Sequence, residues 1–209
     1  VAALDLPLES GVWHTLLEKE PEYLRWPPDG DFLRQFEPHR RHLHLGCRTE
    51  ALARLGHTAA PRYELEATFS QTPWVGGLGL FFGYGERVID GRSVWSYQTI
   101  EFHPDEPKGL FSQARLSWRV VRADGPLDGN PRTNTFYCGG GPEFSQASGA
   151  KRLGITVGPD GLESVRLDGK TFSAASMLGT DARGTPITPL SRAERDGGVS
   201  TTISSHWSC

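Results

Sequence analysis

The chain has 209 residues and a formal net charge of −3, so it lacks the basic excess of a nucleic-acid binder. Its apolar runs all fall short of the roughly 18 residues that a membrane-crossing helix needs, which excludes membrane insertion by a helix of this segment. Three cysteines, Cys47, Cys138 and Cys209, fit neither metal-site spacing nor a disulfide framework; one disulfide with a free thiol, or three thiols, both accord with the spacing.

The sequence starts at Val1 rather than Met and so reads as an excerpt or a processed form, with other domains of a larger chain expected around it. Its compartment is not fixed by the residues, an extracytoplasmic one being favoured. In chain order, residues 1–40 read as an irregular, proline-punctuated lead packed on a sandwich core, with a turn at Trp26-Pro-Pro-Asp-Gly30. Arg41 to Leu45 alternates, with Leu43 and Leu45 on one face and His42 and His44 on the other. Ala51 to Leu55 reads as a short helical turn or the approach to a strand.

Tyr63, Leu65, Ala67 and Phe69 alternate with Glu64, Glu66, Thr68 and Ser70, the period of two of a half-buried strand. Leu78 to Tyr84 and Val94 to His103 continue as short β-prone runs rich in aromatics. Ala114 to Val121 and Thr133 to Cys138 are two further strands, and Gly139 to Gly149 is a loop. Arg152 to Val157 and Leu162 to Leu167 flank Gly158-Pro-Asp-Gly161, a hairpin signal, and Asp168-Gly169 marks a second turn. Residues 41–172 are therefore expected to form one antiparallel β-sandwich. Residues 173–209 read as a loop-rich tail in which Val199 to Trp207 alternates well enough for a closing strand.

The strands Tyr63-Glu-Leu-Glu-Ala-Thr-Phe69, Gly76-Gly-Leu-Gly-Leu-Phe-Phe82 and Tyr97-Gln-Thr-Ile-Glu101, with the hairpin from Leu153 to Phe172, resemble the concanavalin A-like jelly-roll superfamily. Within it they are most similar to the bacterial 3-keto-disaccharide hydrolase family, whose domains also open on a Gly-x-Trp segment, here Gly11-Val-Trp13. The resemblance runs from about Gly11 to Phe172 and implies a jelly-roll sandwich with a sugar groove on one sheet. Two departures stand out. Val75-Gly-Gly-Leu78 replaces the family's Asn-Ser-Gly, and in either register of the Tyr97–Gln98 segment the family's catalytic carboxylate is lost. Glutamine is no substitute, because it neither gives nor takes a proton near neutral pH.

Within the central strand, Trp95, Tyr97, Thr99, Glu101 and His103 share one face, and Ser96, Gln98, Ile100 and Phe102 the other. By polarity the first face makes the better sugar platform, whereas the resemblance puts Gln98 in the groove; a β-bulge would reconcile the two. Trp95 and Tyr97 serve equally well as core. Trp74, on a turn, and Tyr84 complete the ligand-binding candidates Trp74, Tyr84, Trp95, Tyr97 and Gln98. If the protein is an enzyme, Glu101 is the best remaining acid or base and His103 its partner.

His42 and His44 lie about 7 Å apart by strand rise, but a solvated strand face explains them more simply than a metal, and no metal site or cofactor is assigned. Glu64 and Glu66 read as a solubilising pair; nothing in the sequence sets a groove beside them. The expected function is a non-catalytic carbohydrate-binding or sensing module with a carbohydrate as partner. A keto-disaccharide hydrolase-like enzyme and a structural protein-interaction domain are the alternatives.

Overall fold

The computed structural model describes residues 4–5, 11–25, 33–46, 51–70, 77–103, 115–124, 132–140, 150–178 and 199–206. In chain order its elements are β1 (Leu4–Asp5), β2 (Glu22–Arg25), β3 (Leu33–Glu37), β4 (His42–Gly46), β5 (Ala51–Thr58), β6 (Tyr63–Phe69) and β7 (Gly77–Ile89). There follow β8 (Arg92–His103), β9 (Arg115–Asp124), β10 (Arg132–Gly140), β11 (Lys151–Gly158), β12 (Gly161–Leu167), β13 (Lys170–Ser173), the five-residue helix α1 (Ala174–Leu178) and β14 (Val199–His206).

The strands build two principal sheets. The larger runs β1-β5-β14-β7-β8-β9-β10, with β2 also on β5; the smaller runs β13-β12-β11-β6. Among the described residues every pairing is antiparallel except β1 on β5. The hairpin β3–β4 stands as a two-stranded sheet of its own.

The core lies between the two sheets. Leu80 and Phe82 of β7, Ile100 and Phe102 of β8, and Leu116, Trp118 and Val120 of β9 come from the larger sheet. They meet Leu65 and Phe69 of β6, Leu153, Ile155 and Val157 of β11, and Val165 and Leu167 of β12. Each such side chain contributes about 1.5–3 kcal/mol on leaving water. A one-residue slip of β8 would exchange Ile100 and Phe102 for Thr99 and Glu101, so this layer locks the register. The protein is an all-β sandwich.

Two hairpins follow directly from Asp-Gly pairs. Asp90 and Gly91 between β7 and β8 have φ of 52° and 74°, and Asp168 and Gly169 between β12 and β13 have φ of 48° and 87°. Positive φ at both central residues is the type I′ turn whose twist suits adjacent antiparallel strands.

The tail and the lead carry more structure than their composition suggests. β14 is an interior strand, bonded to β5 on one side and β7 on the other. Ala51 to Leu55, expected as a helical turn or a strand approach, belong to the full strand Ala51–Thr58, because β14, β2 and β1 supply partners for its backbone. Ladder hydrogen bonds are made by the main chain, so Val199 to His206 joins the sheet with little apolar signal of its own. The lead supplies β1 and β2, and a boundary at residue 40 would fall inside the β3–β4 hairpin. The Gly141 to Gly149 stretch and the thiols of Cys47, Cys138 and Cys209 lie outside the described residues and side chains.

Candidate functional site

β8 pairs with β9 in unbroken register from Val94↔Asp124 to His103↔Arg115, so its two faces stay distinct. The one register shift along β7–β8 lies on β7, between Phe82 and Gly85, where Gly83 has a φ of 63°. No bulge brings Gln98 to the face of Trp95 and Tyr97. Gln98 points into the layer between the sheets, 8% exposed, where its Oε1 accepts a 3.0 Å hydrogen bond from Trp118 Nε1.

Trp95 and Tyr97 occupy the opposite face, 1% and 0% exposed. Their rings stack at 5.7 Å with an interplanar angle of 7°, in an apolar cluster with Leu52, Phe81 and Val121 against which Leu24 and Tyr84 pack. Neither ring turns a face to solvent. Tyr84 is half-buried; burial first, then the Glu86 carboxylate, raise its phenol pKa. Trp74 lies outside the described residues.

Further along that face Glu101 and His103 come together. Glu101 Oε2 is 3.3 Å from His103 Nε2, which is also 3.1 Å from Ser117 Oγ. Arg119 Nη1 donates to Glu101 Oε1 at 2.9 Å. On the neighbouring strand, a Cβ at Gly77 would meet the His103 imidazole at 2.5 Å, and one at Gly79 would meet the Ile100 carbonyl oxygen at 1.9 Å. Glu101 is 0% and His103 6% exposed. A general acid or base must reach the proton it moves on a substrate; this pair instead joins β8 to β9 inside the protein.

Among the described residues an open groove lies on the outer face of the smaller sheet. It has a volume of about 510 Å³ and is lined by Trp13, Glu64, Glu66, Arg152, Arg166 and Gly169. Strand register explains how it assembles. Glu66 on β6 lies opposite Gly154 on β11, which lies opposite Arg166 on β12. Because Gly154 has no side chain, the guanidinium of Arg166 crosses β11, passing 3.3 Å from where a Cβ would stand. It reaches Glu66 Oε2 at 3.3 Å and Glu64 Oε2 at 3.7 Å. Arg152 Nη2 approaches Glu66 Oε1 at 2.6 Å, and this hydrogen bond and the charge behind it push the pKa of Arg152 up. Beside these charges Trp13 is 66% exposed.

Trp13, Arg152 and Arg166 were not among the residues the sequence nominates. The Gly11-Val-Trp13 segment and the Glu64–Glu66 pair were visible, but only the β6–β11–β12 register sets the two arginines beside the two carboxylates.

No protein-family model matches this sequence, and no curated protein is significantly similar to it. Among solved structures, the chain is similar to the β-porphyranase from the human gut bacterium Bacteroides plebeius, with 12% identity and a TM-score of 0.39. The match covers 90% of this chain and 65% of that one, so the chain spans about two thirds of that structure's length. At this level the likeness says nothing about substrate or chemistry here.

Proposed function

We propose that this β-sandwich is a non-catalytic carbohydrate-binding module whose ligand lies along the groove at Trp13, Glu64, Glu66, Arg152 and Arg166. The observation that carries the reading is the 66% exposure of Trp13 at the rim of a groove otherwise lined by charged side chains and a glycine. An exposed indole presents a flat apolar face with one N–H donor, suited to the C–H face of a pyranose. Carboxylates accept from sugar hydroxyls, and guanidinium groups donate to them in a fixed fork. Two carboxylates against two guanidiniums leave the lining balanced in charge, which favours a neutral, hydroxyl-rich ligand over a strongly anionic one.

The carboxylates are two residues apart on one strand face, a spacing of about 7 Å that falls within the range of inverting glycosidases. However, Glu66 contacts two guanidiniums and Glu64 one, so both carboxylates are engaged by protein cations, whereas a general acid or base must reach the proton it moves on a substrate. The ion pairs therefore support binding over hydrolysis.

The test is a glycan-array screen on the purified protein, followed by calorimetry with the best glycan and an assay for released sugar. Binding without release is expected, with Trp13→Ala weakening it at least tenfold while the circular dichroism spectrum is unchanged. Affinity for no glycan, or full affinity in Trp13→Ala, overturns the proposal. Sugar release that disappears in Glu64→Gln or Glu66→Gln would make the protein a hydrolase instead.

A further inference from the structure

The hairpin β3–β4 carries a second cluster of chemistry-bearing side chains, remote in sequence from the groove strands. Its register pairs Glu37 with His42 and Gln35 with His44, and directly paired residues in an antiparallel ladder project from the same face. One ligand-type atom each from Glu37, His42 and His44 lies within 4.8 Å of the other two. Glu37 Oε1 and His44 Nε2 are 3.5 Å apart, and the two imidazole centroids are 6.1 Å apart.

We infer that Glu37, His42 and His44 form a binding site for a divalent transition-metal ion of the zinc class. Zinc bonds nitrogen and oxygen at about 2.0–2.2 Å in tetrahedral geometry, which separates neighbouring ligand atoms by about 3.3–3.5 Å. The Glu37–His44 pair already has that separation. The nitrogen of His42 has to close at most about 1.5 Å to complete the triangle, and rotation of an exposed side chain achieves this without moving the strand. Two imidazoles and one carboxylate suit Zn²⁺ or its Co²⁺ and Ni²⁺ neighbours, not Ca²⁺ or Mg²⁺, which take oxygen ligands. The fourth position opens to water.

The surroundings fit this use. Gln35 Nε2 donates to Glu37 Oε1 at 3.3 Å, and Arg40 Nη1 lies 3.5 Å from Glu37 Oε2; such outer contacts orient a ligating carboxylate. Arg40 is also a competing cation, so weaker binding than at a four-ligand structural zinc site is expected. A two-stranded hairpin is marginally stable on its own in water, and β3–β4 pairs with no other strand among the described residues. A metal bonded to Glu37 on one strand and to His42 and His44 on the other ties the two together, and binding to the folded form raises stability by mass action.

Calorimetric titration of the metal-free protein with Zn²⁺, with Co²⁺ as a spectroscopic stand-in, decides the matter. One Zn²⁺ per chain is expected, with tetrahedral-type visible bands for Co²⁺ and a rise in melting temperature. His42→Ala and His44→Ala should each weaken binding at least tenfold, and Glu37→Gln should weaken it severalfold. His42 and His44 are exposed and Glu37 is half-buried, so the variants should fold, which circular dichroism checks. Absence of binding in the wild type, or undiminished binding in His42→Ala and His44→Ala, overturns the inference. The outcome is independent of any glycan result at Trp13.

Discussion

The indole Nε1–H of Trp118 donates to Gln98 Oε1 at 3.0 Å, a polar bond between β9 and β8 inside the apolar layer that joins the two sheets. It ties two side chains from neighbouring strands in a place where apolar atoms surround both. Gln98 is thereby a core residue with a specific partner rather than part of a sugar groove.

Replacing Gln98 by Leu removes this acceptor from a buried N–H while keeping side-chain volume. A buried donor deprived of its acceptor costs about 1–3 kcal/mol. The Gln98→Leu variant should accordingly lose about that much in urea-unfolding free energy, with glycan affinity unchanged. A drop in glycan affinity at full stability would return Gln98 to the binding surface.

Glu101 sits between Arg119 and His103 with none of its surface exposed. Removing one partner of a buried ion pair costs about 3–5 kcal/mol, because the other charge stays behind. Glu101→Gln should lower the urea midpoint markedly, and Arg119→Met combined with it should lose less than the sum of the single changes. Additive losses would mean the two do not act as a pair. Full stability in Glu101→Gln would contradict its reading as a structural ion.

The hydroxyl of Tyr63 is buried with no hydrogen-bond partner among the described residues, and burial raises its pKa well above the ordinary 10.0. The folded state thus holds the proton more tightly than the unfolded chain does. The stability tied to this group is fully present below pH of about 10 and is lost as the pH climbs above that, by up to about 1.4 kcal/mol per pH unit. Tyr63→Phe should match or exceed the wild type at pH 7 and lose less stability between pH 9 and about 11, where Tyr84 continues to contribute. Chemical unfolding across that range measures the difference, and parallel curves for the two proteins would exclude Tyr63 as a contributor.

Much of the sandwich is legible in the sequence. The alternation of β6, β9 and β11 places Leu65, Leu116, Trp118, Leu153 and Ile155 in the core. Asp168-Gly169 and Gly158-Pro-Asp-Gly161 mark the hairpins that the backbone makes. These signals are local: a strand's period of two and a turn's demand for positive φ need no knowledge of neighbours. The tertiary structure decided what depends on neighbours. It made Val199–His206 an interior strand through main-chain bonds alone, and it buried Trp95 and Tyr97 on a face that their alternation equally allowed to be open. It also set Arg166 across the bare Cα of Gly154 onto Glu66, residues 100 positions apart in the chain. Pairing register between distant strands governs all three, and no single strand's residues encode its partner.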